Sequence, residues 1–208
     1  MRVLVTGFEP FGGDALNASG AVVERLATSW HGDGVVLCTA ILPVEFDGAP
    51  VALAAAIAAA RPDAVIALGE AGGRTEVTPE RWAGPTALGR IPDNAGRAPR
   101  GEPLDAEPGP LGSRLDVDAM VAAILSVGVA SRASPDAGSF VCNATFRALL
   151  RDHAVAGGFI HVPAVRNDGV ALVGAETDEV VGEQPTPSMG LDDLVRAVEA
   201  VIRLLAAH

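Results

Sequence analysis

Apolar residues follow two rhythms along this chain. Short, nearly unbroken runs stand at 2–6 (RVLVT), 35–42 (VVLCTAIL) and 64–68 (AVIAL), and they read as buried strands. Between them the spacing changes to that of a helix. Ala21, Val22, Leu26 and Ala27 predict a helix from Asn17 to about Ala27. The alanine-rich stretch 50–60 predicts another, stopped by Pro62 directly after Arg61. Downstream, the pattern predicts a helix at 116–126, a strand near 128–130, a helix beginning between Ser139 and Val141, a strand in GGFIHVP, and an outer amphipathic helix at 191–206.

Strands that are apolar on both faces must be covered on both, so the alternation predicts a three-layer α/β/α sandwich. Its central sheet is expected to be mixed and mostly parallel, with 35–42 as a central strand. Residues 85–113 are rich in Pro and Gly and lack periodicity, which predicts a long irregular loop. Loops of that length in folded domains tend to be functional or mobile. No internal repeat or linker divides the chain, so one domain is expected over 1–208.

Composition narrows the chemistry. A formal charge of −11 argues against nucleic acid and anionic membranes as partners, because both need basic patches. A solvated acidic surface accounts for the charge. All 15 basic residues are arginines, so lysine Schiff bases and a P-loop lysine are excluded. Tyrosine is absent as well, which removes a phenolic acid. Cys38 and Cys142 are too few for a disulfide framework. MRVLVTG is a strand pattern too short for a signal peptide, and Arg61, Pro62 and Asp63 interrupt the greasiest stretch, so a cytoplasmic location is expected.

Cys142 sits in SFVCNATFRALL, within the first turn of a predicted helix. Unpaired N–H groups and the helix dipole stabilise a thiolate there, and the same groups can hold an oxyanion. Cys38 lies mid-strand and reads as core. Among the histidines, His31 is in a polar turn, His208 is last, and His153 ends the helix that Cys142 begins. His161 belongs to the returning strand. The helix runs out about 17 Å at ~1.5 Å per residue, and the strand returns about 13 Å at ~3.3 Å per residue after a short turn at 156–158. That brings His161 back to the level of Cys142. Inert packing is the ordinary role of a lone buried cysteine or strand histidine, so the residues alone yield a candidate dyad. An orienting carboxylate could be Glu70, Glu76, Glu80 or Asp93, and position does not choose among them. GFEPFGG is a weak phosphate motif. Its Phe8 and Phe11 suit either an apolar pocket or the core.

LVTGFEPFGG, the Glu80-Arg81 pair, RIPDN at 90–94, FVCN at 140–143, GFIHVP at 158–163 and PSM at 187–189 occur in an order and spacing that resembles pyroglutamyl peptidase type I, also called pyrrolidone carboxyl peptidase. The resemblance spans nearly the whole chain. It implies Cys142 as nucleophile, His161 as its base and Glu80 as the third member. It further implies a lactam pocket of Phe8, Phe11, Ile91, Phe140 and Val141, with Asn17 hydrogen-bonding the lactam. Arg90 matches an arginine near the site. A cofactor-free and metal-free intracellular homotetramer acting on pyroglutamyl peptides is likewise implied.

The chain departs from the family pattern at WAGPTALG (82–89), where a segment like AVNAIDA is usual, and at Ala144, where His or Tyr commonly follows Cys-Asn. AVRND follows HVP, and Glu70 stands where Gln or Leu is more usual. Two other functions would suit the same scaffold. A divergent cysteine amidase for another small lactam would keep the thiol chemistry and lose pyroglutamyl cleavage. A non-catalytic ligand-binding protein would keep only the fold.

Overall fold

The computed structural model describes residues 1–32, 34–165 and 188–207. Pro187 of PSM, the 166–168 part of AVRND, and His208 lie outside the described residues.

The chain opens with β1 (Arg2–Phe8), α1 (Ala18–Ser29), β2 (Val36–Leu42), α2 (Gly48–Ala60) and β3 (Ala64–Glu70). Four short strands follow: β4 (Thr78–Pro79), β5 (Trp82–Ala83), β6 (Thr86–Leu88) and β7 (Arg100–Pro103). Then come β8 (Leu111–Gly112), α3 (Val117–Ser126), α4 (Val141–Asp152), β9 (Ala156–Val162) and α5 (Leu191–Ala206). The main sheet has the order β2-β1-β3-β9-β4. Every pairing in it is parallel except that of β4 with β9. The mixed, mostly parallel sandwich is therefore as expected.

Alternating side chains divide the core into two layers. Val3, Val5, Ile66, Leu68, Ile160 and Val162 pack with α1, α3 and α5. Leu4, Phe8, Val65, Ala67 and Phe159 face α2 and α4. Because each central strand is buried on both sides, its sequence reads as an unbroken apolar run. Helix ends follow local chemistry. Asn17 caps α1 by accepting from Ser19 N, and Asp116 caps α3 by accepting from Ala119 N. Asp192 and Asp193 begin α5 and Arg203 ends it, matching the helix dipole.

Four expectations need correction. The run at 35–42 is the edge strand β2, with Val36 56% and Ile41 43% exposed. Apolar composition alone does not distinguish an edge from a centre. Residues 128–130 form no strand: Gly128 closes the turn after α3 through a hydrogen bond to Leu125 O, and isolated Val77–Ser131 and Glu80–Ser134 bridges follow. The 85–113 segment is ordered by antiparallel β6–β7 and β5–β8 ribbons, whose strands are too short to show a period. Finally, 156–158 is strand and not turn. Gly157 lies there because a Cβ would meet Leu149 Cδ2 at 2.9 Å, so the glycine admits α4 close to β9.

Candidate active site

The carboxyl ends of β1, β3 and β9 meet the start of α4 at one edge of the sheet, where ligands of open α/β sheets ordinarily bind. Cys142 is the second residue of α4. Phe140 precedes the helix in extended backbone and offers no side-chain cap, which leaves the first-turn N–H groups uncapped by side chains. The thiol lies directly over the sheet: a Cβ on Gly69 would meet Cys142 Sγ at 2.7 Å and Phe159 Cζ at 2.8 Å. Only glycine leaves room there. Gly69 is in register with His161 on the neighbouring strand, so cysteine and histidine occupy the same face of adjoining positions.

His161 is 5% exposed, and its ring centroid lies 4.9 Å from that of Phe159. Its Nδ1 is 2.7 Å from Glu80 Oε1. Two-residue β4 brings the carboxylate there: Thr78 pairs with His161, Pro79 with Ile160, and Glu80 N donates to Phe159 O at 2.9 Å. Arg74 Nη1 donates to the same Oε1 at 2.6 Å. Burial raises the Glu80 pKa, but the hydrogen bond and charge of His161 and the charge of Arg74 outweigh it and hold the group below the usual carboxylate range. An ionised Glu80 only accepts, so Nδ1 carries the hydrogen of this bond.

The other three carboxylates have different occupations. Glu70 Oε2 accepts from Ala18 N at 2.5 Å, at the start of α1. Glu76 pairs with Arg132 at 2.7 Å near the surface. Asp93 accepts from Phe46 N, Ala95 N and Arg97 N, and thereby folds the RIPDN turn. Among the four, Glu80 alone is bonded to the imidazole.

Phe8, Phe11, Asn17, Phe140 and Val141 line a narrow cleft that reaches Cys142, together with Val44 and Glu70. Phe140 is held by Phe11 at 5.2 Å and, edge-on, by Phe46 at 5.1 Å. Phe8 and Phe11 are thus both core and cleft wall. Asn17 is already engaged: Oδ1 accepts from Ser19 N and Ser19 Oγ, and Nδ2 donates to Glu9 O at 3.0 Å. Ile91 is half-buried against the same core but does not line the cleft. Arg90 is exposed and makes no hydrogen bond or ion pair with the described residues. Cys38 is half-buried on β2, less enclosed than a core position.

Further residues shape the site: Asn143 falls within the FVCN motif, whereas Arg74 and Arg147 gave little sequence signal. Arg74 stood in a Gly-rich turn. Asn143, next to Cys142, is fully buried and holds Gly84 through Oδ1 at 2.7 Å. Arg147 in α4 binds Asp105 through Nε at 2.6 Å and Nη2 at 2.8 Å, and donates to Glu107 O and Gly109 O. Together Asn143 and Arg147 tie the 84–109 segment to the helix that carries Cys142. No group of three or more His, Cys, Asp and Glu side chains suited to a metal ion occurs among the described residues. No described helix is long and apolar enough to cross a membrane.

The pyroglutamyl peptidase family model matches residues 1–208. The chain belongs to this family. It is 36% identical to a pyrrolidone-carboxylate peptidase of Thermococcus onnurineus over 98% of both chains. It is 38% identical to that of Streptococcus pyogenes serotype M5, over 97% of this chain and 91% of the relative. Among solved structures, Bacillus amyloliquefaciens pyroglutamyl peptidase I aligns with a TM-score of 0.88 at 33% identity, over 100% of this chain and 97% of that one. A pyrrolidone carboxyl peptidase variant from Pyrococcus furiosus also aligns at 0.88, with 29% identity over 100% and 99%.

Proposed function

We propose that this chain is a cysteine omega-peptidase that removes N-terminal pyroglutamyl groups from peptides, with Cys142, His161 and Glu80 acting together. One observation carries the assignment of roles. Glu80 holds His161 Nδ1 at 2.7 Å, while Gly69, the strand neighbour of His161, lies under Cys142 Sγ. Membership of the pyroglutamyl peptidase family supports the substrate class.

In this mechanism His161 Nε2 takes the proton from Cys142 Sγ. The thiolate attacks the pyroglutamyl carbonyl, and first-turn N–H groups of α4 stabilise the oxyanion. His161 then protonates the leaving amine, the C–N bond breaks and a thioester remains. Water, deprotonated by His161, cleaves the thioester and releases pyroglutamate. Glu80 keeps the imidazole in one tautomer and stabilises its charged form. The cleft suits the neutral lactam ring: Phe8, Phe11, Phe140 and Val141 supply apolar walls and Asn17 a polar group. Arg90, exposed on its loop, would serve only if a bound peptide reached it.

Fluorophore release from a pyroglutamyl-anilide-type substrate tests the proposal. Turnover by the reduced protein that disappears in Cys142→Ser is the expected result, and no turnover by the intact protein would defeat it. A second activity has one observation in its favour. The Glu70 carboxylate borders the cleft, which suits a cysteine amidase for a different small amide. That enzyme would be alkylated at Cys142 and would leave pyroglutamyl substrates intact.

The proposal extends to a cytoplasmic homotetramer of single-domain subunits over 1–208 that uses no metal or cofactor. Support for self-association comes from the open edge strand β2, with exposed Val36 and Ile41, and from Val51 on α2, 70% exposed. Light scattering of the purified protein would read the assembly directly.

A further inference from the structure

Arg74 lies on the turn between β3 and β4, fixed by its own N–H to Ala71 O at 3.0 Å. Its side chain is 25% exposed, whereas the Glu80 side chain it binds is fully buried. Besides donating to Glu80 Oε1 at 2.6 Å, it bonds the Thr78 hydroxyl, and Nη2 reaches Asp136 O at 3.5 Å. The arrangement on the carboxylate is lopsided. Oε1 receives both Arg74 and His161 Nδ1, while Oε2 is buried and has no hydrogen-bond partner among the described residues.

A carboxylate raises the proton affinity of a bonded imidazole, because the charged imidazolium is attracted to it. A guanidinium on the same oxygen opposes this effect, and in a buried setting such pairs interact strongly. We infer that Arg74 is a positioning residue that sets the proton affinity of His161 through Glu80 and fixes the rotamer of that carboxylate. The inference rests on the proposed peptidase mechanism for its consequences, though not for its geometry. Removal of the cation would leave His161 facing an uncompensated buried carboxylate, and the imidazole would bind its proton more tightly than with Arg74 in place.

Among the described residues, the charged and titratable groups around His161 are Glu80 beyond β4, Arg74 on the β3–β4 turn and Cys142 on α4. Two further carboxylates nearby have partners of their own. Glu70, in register with Val162, accepts from Ala18 N, and Asp136 accepts from Gly138 N at 2.9 Å. Arg74 is thus the cation bonded to Glu80 among the described residues.

The experiment is an NMR titration of the His161 imidazole without substrate, in wild type, Arg74→Gln and Arg74→Lys, paired with kcat and KM against pH on a pyroglutamyl fluorogenic substrate. Arg74→Gln should raise the imidazole midpoint by about one unit. It should also lower kcat at neutral pH by about threefold with KM within about twofold, because a smaller fraction of the imidazole is then free to take a proton. Arg74→Lys, which keeps the charge, should titrate near wild type and recover most of the rate. An unmoved midpoint in a folded Arg74→Gln overturns the inference. If that variant does not fold, Arg74→Met takes its place as the charge-removing variant: a midpoint raised by about one unit upholds the inference, and an unmoved midpoint overturns it. Lack of turnover by wild type would defeat the peptidase proposal alone, since the titration needs no substrate.

Discussion

Arg147–Asp105 and Arg74–Glu80 are arginine–carboxylate pairs that each have one fully buried member, Arg147 and Glu80, and their wiring differs. Arg147 grips both oxygens of Asp105 and spends its other donors on Glu107 O and Gly109 O. Asp105 receives further bonds from Arg151 and from Glu107 N. That pair is closed, and its product is a loop locked onto α4. Arg74 reaches one oxygen of Glu80, shares it with an imidazole, and leaves the second oxygen without a partner among the described residues. Saturated bonding gives a rigid staple. Shared, incomplete bonding leaves a group whose charge state still responds to a proton moving nearby.

If this contrast is sound, breaking the open pair should damage catalysis more than folding. Glu80→Gln should reduce kcat by roughly 10²–10⁴-fold, since the amide no longer stabilises the imidazolium or fixes its tautomer. Circular dichroism should show a fold close to wild type, and a kcat within twofold would break the comparison. Gly69→Ala should lower kcat by about 10²-fold, because its Cβ would meet Cys142 Sγ at 2.7 Å and displace the thiol. The chemistry would suffer more than substrate binding, as a kcat–KM split would reveal.

The closed pair should behave in the opposite way. Arg147→Ala leaves Asp105 short of its main partner and should cost about 3 kcal/mol in denaturant unfolding. The double change Arg147→Met with Asp105→Leu should recover much of that loss, as replacement of both partners removes the stranded charge. A smaller effect follows from acid. Arg147's hydrogen bonds lower the Asp105 pKa from 3.8 to about 2, against the opposing effect of burial. With the folded value depressed, the stabilisation is complete above about pH 4 and disappears as pH falls through about 2. In Asp105→Asn, stability should depend less steeply on pH across that window.

The same contrast explains what the sequence revealed. Runs such as AVIAL announce strands buried on both faces, and the helix-out, strand-back estimate for Cys142 and His161 agrees with the register that sets His161 beside Gly69. Phe8 and Phe11, at the end of the first strand, read as pocket or core and are both, whereas Phe140 and Val141 were marked as cleft walls by the family resemblance alone. Glu80 was not separable from Glu70, Glu76 and Asp93 by spacing, since its place depends on the two-residue strand β4 pairing with β9. Arg74 and Arg147 escaped for a related reason: their carboxylate partners are selected by tertiary folding, which leaves no period in the chain. The edge position of β2 was hidden because an apolar run looks alike whether a neighbouring strand or open space lies beside it.

Alkylation of Cys142 by iodoacetamide at neutral pH, followed by mass spectrometry in wild type and in His161→Asn, addresses the core of the account. If the imidazole draws the proton from sulfur, labelling of the wild type should be at least about tenfold faster than in the variant. Equal rates in two folded proteins would mean that the thiol and the imidazole do not work as a unit, and the account would be wrong.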